Sequence, residues 1–156
     1  MAPLWDAASG RSRATLRVSR APLTDVVFSP DGRLLLTTGL QANQETWDVR
    51  TGKLFRVLVG QFGGVLGGAF SPDGRWLVTA GPISAVLWPR DGERPYFYLR
   101  GGPSPLRRLT AVSFSPDGRL VLSSSEDGSV RLYTCEVCGD LKALTSIAEA
   151  RLAAAR

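Results

Sequence analysis

The sequence predicts an all-β chain, built from repeated four-stranded antiparallel units and ending in a short helix. Three observations carry this. The hexamer Phe-Ser-Pro-Asp-Gly-Arg stands at Phe28–Arg33, Phe70–Arg75 and Phe114–Arg119, at offsets of 42 and 44 residues, and self-similarity at such a period marks a repeat architecture. The 156-residue chain spreads 17 Gly and 10 Pro along its length, which suits many short strands joined by tight turns. Only residues 135–156 depart from the pattern, as a Cys-containing turn and a leucine-striped helix that is Ala-rich from Ala148 onward.

The elements follow in order. Leu4–Asp6 reads as the end of a third strand, and Ala14–Val18 as a fourth, so residues 1–20 form half a unit. Residues 21–60 and 61–102 are complete units, and 103–134 hold three strands of the last. First strands are expected at Leu23–Phe28, Val65–Phe70 and Leu109–Phe114. Each runs into Ser-Pro-Asp-Gly, where Pro presets φ and Ser and Asp bond local backbone, a hairpin signal. Second strands are expected at Leu34–Thr38, Trp76–Ala80 and Leu120–Ser124. Third strands end on Trp5, Trp47, Trp88 and Tyr133, and fourth strands cover Leu54–Val59 and Tyr96–Arg100. The recurring Phe28, Phe70 and Phe114, and the tryptophans, read as core residues. Asp31, Asp73 and Asp117 read as turn formers, because they recur at one place in the turn. In Gly60–Gly68 the glycines read as close backbone packing near an axis rather than a phosphate loop, which would need a Lys-Ser/Thr end.

Four antiparallel strands every 42–44 residues, with an aromatic closing the third, is the pattern of a β-propeller blade. The chain resembles a WD-repeat protein. The three hexamers, Thr46–Asp48 and Ser125–Tyr133 carry the resemblance, which covers about residues 3–134. It implies a partial β-propeller of three to three and a half blades and a protein-interaction scaffold with no cofactor and no enzymatic activity. It also implies a polar network of a His before strand one, a Ser or Thr on strand two, an Asp in the next turn and the Trp. No His exists in this chain. Thr37, Gln41 and Trp47 fill the remaining places in the first unit, Thr79 and Trp88 in the second, and Ser123, Asp127 and Tyr133 in the last. The network is therefore expected to be partial, with its groups turning to backbone partners. Carried over residue by residue, the family's rim positions fall on Thr24, Leu66, Arg108 and Thr110 at the start of strand one. Leu40 and Glu126 fall in the turn before strand three.

A propeller closes with four or more blades. The chain is thus expected to be a piece of a larger propeller, resembling the C-terminal portion of a bacterial multidomain WD-repeat protein, or to complete a ring by self-association. Joining Ala14–Val18 to the last sheet would make three blades and leave Leu4–Asp6 over. Asp25 breaks a small-residue pattern set by Gly67 and Ala111, and could face the channel or pair with an Arg.

Composition excludes several functions. Without His there is no His-based triad or His metal site. The enzyme reading lacks a nucleophile–base pair. Net charge is +5, from 17 Arg and 2 Lys against 14 acids. The alternative function, nucleic-acid or anionic-surface binding, would use Arg11, Arg13, Arg17, Arg20, Arg107 and Arg108. No apolar run reaches a membrane span, and the N-terminus lacks the apolar core of a signal peptide, so a cytoplasmic protein is expected. Two Cys give no disulfide framework. Cys135-x-x-Cys138 admits turn packing, a redox pair, or a zinc site pooled from two chains, since one chain supplies two of four ligands. Asp140 is placed to cap a helix carrying Leu141, Leu144, Ile147 and Leu152.

Overall fold

The computed structural model describes residues 2–18, 22–40, 44–61, 63–92, 94–100, 108–135 and 138. These form four antiparallel sheets. A two-stranded sheet pairs β1 (Ala2–Trp5) with β2 (Ser12–Leu16). The first full sheet runs β3 (Leu23–Phe28), β4 (Leu34–Gly39), β5 (Gln44–Asp48), β6 (Leu54–Leu58) in that order. The second is β7 (Gly67–Phe70), β8 (Trp76–Ala80), β9 (Ser84–Pro89), β10 (Phe97–Arg100), and the last is β11 (Leu109–Phe114), β12 (Leu120–Ser125), β13 (Val130–Thr134). This is the expected partial propeller. The expected C-terminal helix lies outside the described residues, as do Gln41, Arg20 and Arg107. Among the described residues no helix is long and apolar enough to cross a membrane.

The hexamers build the same turn three times. The Ser29 hydroxyl donates to Asp31 (2.6 Å) and accepts from Leu34 N (2.9 Å), while Asp31 accepts from Arg33 N (3.1 Å). Ser71 with Asp73, and Ser115 with Asp117, repeat the pattern. Gly32, Gly74 and Gly118 take φ of 66°, 69° and 72°, a conformation that side-chain-bearing residues avoid. The bonds from Ser29 and Ser115 are the largest cause holding the Asp31 and Asp117 carboxyls below their usual range. At Asp73 partial burial pushes upward and is outweighed by the bonds from Ser71 and Arg75.

Sheets pack face to face through three apolar clusters. Leu16 meets Leu35 and Trp47 between the half sheet and the first full sheet. Leu34, Leu36 and Leu58 meet Phe70, Leu77 and Trp88 at the next junction. Val78, Ala85 and Leu87 meet Val112, Val121 and Phe114 at the last. The fourth-strand leucines Leu16, Leu58 and Leu99 are all buried, opposite Ala2, Gln44 and Ala85 of the third strands.

Two expectations fail for one physical reason. Phe28 is 55% exposed although Phe70 is 8% exposed, and Trp5 lies mostly in solvent while Trp47 and Trp88 are buried. Phe28 faces the side where β1 and β2 supply the outer strands alone, so no inner pair covers it. Trp5 closes that same incomplete sheet. Among the described residues the Ala14–Val18 strand does not join the last sheet. Ala14 and Leu16 pair with Leu4 and Ala2 instead. The outward face of the last sheet, with Leu122, Val130 and Leu132, is uncovered as well.

Candidate interaction surfaces

Strand polarity fixes two ends for every sheet. The Ser-Pro-Asp-Gly turns and the turns after β5 and β9 lie at one end. The starts of first strands and the turns before third strands lie at the other.

Thr24, Leu40, Leu66, Arg108, Thr110 and Glu126 all lie at that second end, on neighbouring sheets tied by backbone. Leu40 N donates to Pro22 O (3.3 Å), and Val65 N to Gly39 O (2.9 Å). The Thr24 hydroxyl donates to Val65 O across the junction of the first and second full sheets. Leu66 N bonds Ala80 O (3.0 Å) within the second sheet, and Leu109 N bonds Gly81 O (3.4 Å) across the junction to the last. Glu126 N donates to Arg108 O (2.9 Å), and the Thr110 and Ser124 hydroxyls bond each other (2.8 Å). Leu66 is half-buried and the other five are exposed.

Behind this rim the expected polar network is partly corrected. In the second sheet it is continuous. Trp88 Nε1 donates to the Thr79 hydroxyl (2.9 Å), which donates to Gln61 Oε1. Gln61 Nε2 donates to Ser84 O (3.2 Å). Gln61, missed in the sequence, takes the task expected of a His. It stands nine residues before Phe70 and next to Gly60, and that spacing was the available signal. In the first sheet Trp47 Nε1 donates to the Thr37 hydroxyl (3.0 Å), which donates to Glu45 O (3.3 Å). In the last sheet Tyr133 replaces Trp, and among the described residues the buried Ser123 Oγ has no hydrogen-bond partner. Asp127 accepts from Ser129 N (2.9 Å) in its own turn.

Among the described residues Asp25 pairs with no Arg. Its Oδ2 accepts from Gly68 N on the next sheet (3.2 Å), and its Oδ1 from Val26 N (2.8 Å). It is a clasp between inner strands. The glycines beside it pack closely, as expected. A Cβ on Gly68 would stand 2.6 Å from Leu36 Cδ2 and 3.2 Å from Val78 O.

Cys135 and Cys138 form a disulfide, with Cα atoms 5.2 Å apart, buried against the last junction. One bridge across a three-residue step is no framework, and it engages both sulfurs with each other. Cys135 N donates to Arg119 O (2.7 Å), which aims its side chain into the core. Among the described residues no group of three or more His, Cys, Asp or Glu could hold a metal ion.

The opposite end carries the charged features. Arg90, from the turn after β9, donates to Asp31 of the preceding sheet (2.8 Å). Arg13, Gly32, Arg33, Asp48, Val49 and Arg50 wall a cleft of about 510 Å³ beside the half sheet. The arginines proposed for nucleic acid are not gathered. Arg11, Arg13 and Arg17 lie on or beside β2, while Arg108 belongs to the far end.

Residues 10–42, 52–88 and 98–134 match the family model described as WD domain, G-beta repeat. Each of the last two stretches opens on the outer strand of one sheet and runs through the third strand of the next. The chain is 31% identical over 120 residues to Polycomb protein EED of Chaetomium thermophilum, covering 74% of this chain and 20% of that one. It is 32% identical over 133 residues to WD repeat-containing protein SL1-17 of Schistosoma mansoni, covering 83% of this chain and 42% of that one. It thus spans about a fifth and about two fifths of these relatives, and both are eukaryotic, so neither supports the bacterial comparison.

Proposed function

The chain belongs to the WD-repeat family, and from that premise we propose that it is a non-catalytic scaffold that holds protein partners on one rim. The observation that carries the proposal is the collection of Thr24, Leu40, Leu66, Arg108, Thr110 and Glu126 at one end of three sheets. Backbone bonds across both junctions tie their neighbours together. Loops fixed by a rigid sheet are where binding residues concentrate. Leu40, 49% exposed, offers an apolar anchor at the first full sheet's end of the rim, and Arg108 and Glu126 offer opposite charges at the last sheet's end.

The test is affinity capture with the wild type and with a Leu40→Asp, Arg108→Glu variant. Proteins retained by the first and lost by the second, with matching circular dichroism, support the rim. An identical captured set for both would exclude it.

The uncovered faces of Phe28 and of Leu122, Val130 and Leu132 add a second part to the proposal. Further blades cover them, from adjoining polypeptide or from a second copy. Exposed contiguous apolar faces of this kind mark association surfaces. Light scattering on the chain separates the two sources. A defined soluble multimer supports self-association, and a stable monomer refutes it.

Composition alone supports a cytoplasmic location. The Cys135–Cys138 disulfide runs against it, because disulfides are rare in that compartment. Thiol labelling of protein taken directly from cells decides between them.

A further inference from the structure

We propose that the cleft walled by Arg13, Gly32, Arg33, Asp48, Val49 and Arg50 binds a phosphoryl group carried by a partner protein, an inference that rests on the protein-binding reading above. Three guanidiniums line this cleft, and none makes an ion pair among the described residues.

The neighbouring junction shows how unusual that is. Arg33 and Arg75 occupy the same place in identical hexamers. Arg75 binds its own Asp73 at 2.7 Å. Arg33 does not bind Asp31, because Arg90 reaches over from the next sheet and takes that carboxylate at 2.8 Å. Arg33 is thereby released toward the cleft. The other two arginines are also particular to this junction. β1–β2 and β5–β6 shift register at the same step, before Trp5 and Trp47, which aligns Arg13 with Phe55. Arg50 aligns with Asp91, counting from Trp47 and Trp88. One junction therefore presents three arginines with no ion pair among the described residues, where the next presents a paired arginine, a phenylalanine and an acid.

Asp48 offsets one charge of the three. Its Oδ1 already accepts from Thr51 N and the Thr51 hydroxyl, both at 2.7 Å. Counted over its lining residues the cleft keeps two net positive charges, and Asp6 beside it attracts Arg13. Planar guanidiniums recognise phosphate oxygens through paired, charge-assisted bonds, and a dianion with three acceptor oxygens suits three donors better than a carboxylate does. The cleft volume is ample for a phosphorylated side chain and adjoining backbone. A nucleic-acid backbone would need a continuing basic track. Here Asp6, Asp31 and Asp48 interrupt the surface, and Arg108 lies at the far end.

The test uses the full chain and isothermal titration with four probes. These are a short phosphoserine peptide of otherwise neutral sequence, its unphosphorylated twin, inorganic phosphate and a single-stranded oligonucleotide. The phosphopeptide is expected to bind, and its twin to bind at least about tenfold more weakly. Arg33→Gln and Arg50→Gln should each weaken the phosphopeptide about tenfold. Arg11→Gln removes the same charge outside the cleft and should leave binding intact. Thermal melts establish that the variants fold. A phosphopeptide no better than its twin overturns the proposal. Inorganic phosphate binding as tightly as the peptide overturns the partner-protein part, and an oligonucleotide that binds more tightly and competes assigns the cleft to nucleic acid. The rim variant Arg108→Glu should leave phosphopeptide binding unchanged, so failure here is separate from failure of the rim.

Discussion

The second full sheet and the two sheets beside it share one sequence pattern and differ in what covers them. In the middle sheet Phe70, Val78 and Leu87 are buried. Their counterparts on an uncovered face are Phe28 on the first sheet and Leu122 and Leu132 on the last. Leu132 is 60% exposed where Leu87 is 2% exposed. The same residue type in the same register is core in one place and surface in another. Burial in a stacked repeat is thus a property of the neighbour, and stability is the sum of a unit and its interfaces.

The largest expected effect comes from removing the covered side chains. Phe70→Ala or Trp88→Ala should cost about 3–5 kcal/mol in urea unfolding, the loss for a buried aromatic. Phe28→Ala should cost less than about 1 kcal/mol. Equal losses at Phe28 and Phe70 would break the comparison, and a large loss at Phe28 that depends on protein concentration would reveal a second copy covering it.

A smaller difference is expected in the polar network. Gln61→Leu takes the acceptor from the buried Thr79 hydroxyl, while Thr79 keeps Trp88 Nε1 and the Ser84 carbonyl keeps Gly81 N, and it should cost about 1–3 kcal/mol. Ser123→Ala removes a buried hydroxyl that has no partner among the described residues, and should be neutral or slightly stabilising. Thermal melts of both variants check this contrast.

Substitution on the uncovered face should change association more than folding. Leu132→Ser is expected to leave the unfolding midpoint within about 0.5 kcal/mol while reducing self-association in light scattering. A large loss of stability would mean that the face is already covered.

The smallest effect is electrostatic. The Asp31 and Asp117 carboxyls titrate below their unfolded value of about 3.9. Their folded forms therefore bind fewer protons than the unfolded chain. The stability they contribute is present above that value and lost as pH falls through the lower folded pKa. Asp31→Asn and Asp117→Asn should flatten the acid limb of a pH–stability curve and lower its neutral plateau toward the acid value. Asp31→Asn should also release Arg90.

The strands were legible because apolar alternation and the Ser-Pro-Asp-Gly turn act locally. The observed strands fall within two residues of the expected ones, β7 included, which begins at Gly67 rather than Val65. What a residue meets across a junction was not legible. Identical hexamers gave no hint that Arg75 keeps Asp73 while Arg33 loses Asp31 to Arg90. The basic cleft arises from that exchange between sheets. Gln61 escaped because the reading sought an imidazole, whereas the site needs a donor and an acceptor on one side chain, which an amide also supplies. The rim positions were locatable because they are counted from strands. Their binding chemistry is not encoded in that count.

The close approach at Gly67 and Gly68 bears on the size of the ring. Each sheet is a tapered stave, narrow where β7 carries Gly, Gly and Ala, and broad where Trp88 and Leu99 fill the outer half. The taper sets the turn from one stave to the next, and hence how many staves come full circle. A methyl group added at Gly68 would press on Leu36 and on Val78 O, widening the narrow edge while the broad edge stays the same. Less tapered staves turn less per step, so a bulkier inner strand would favour a ring of more blades.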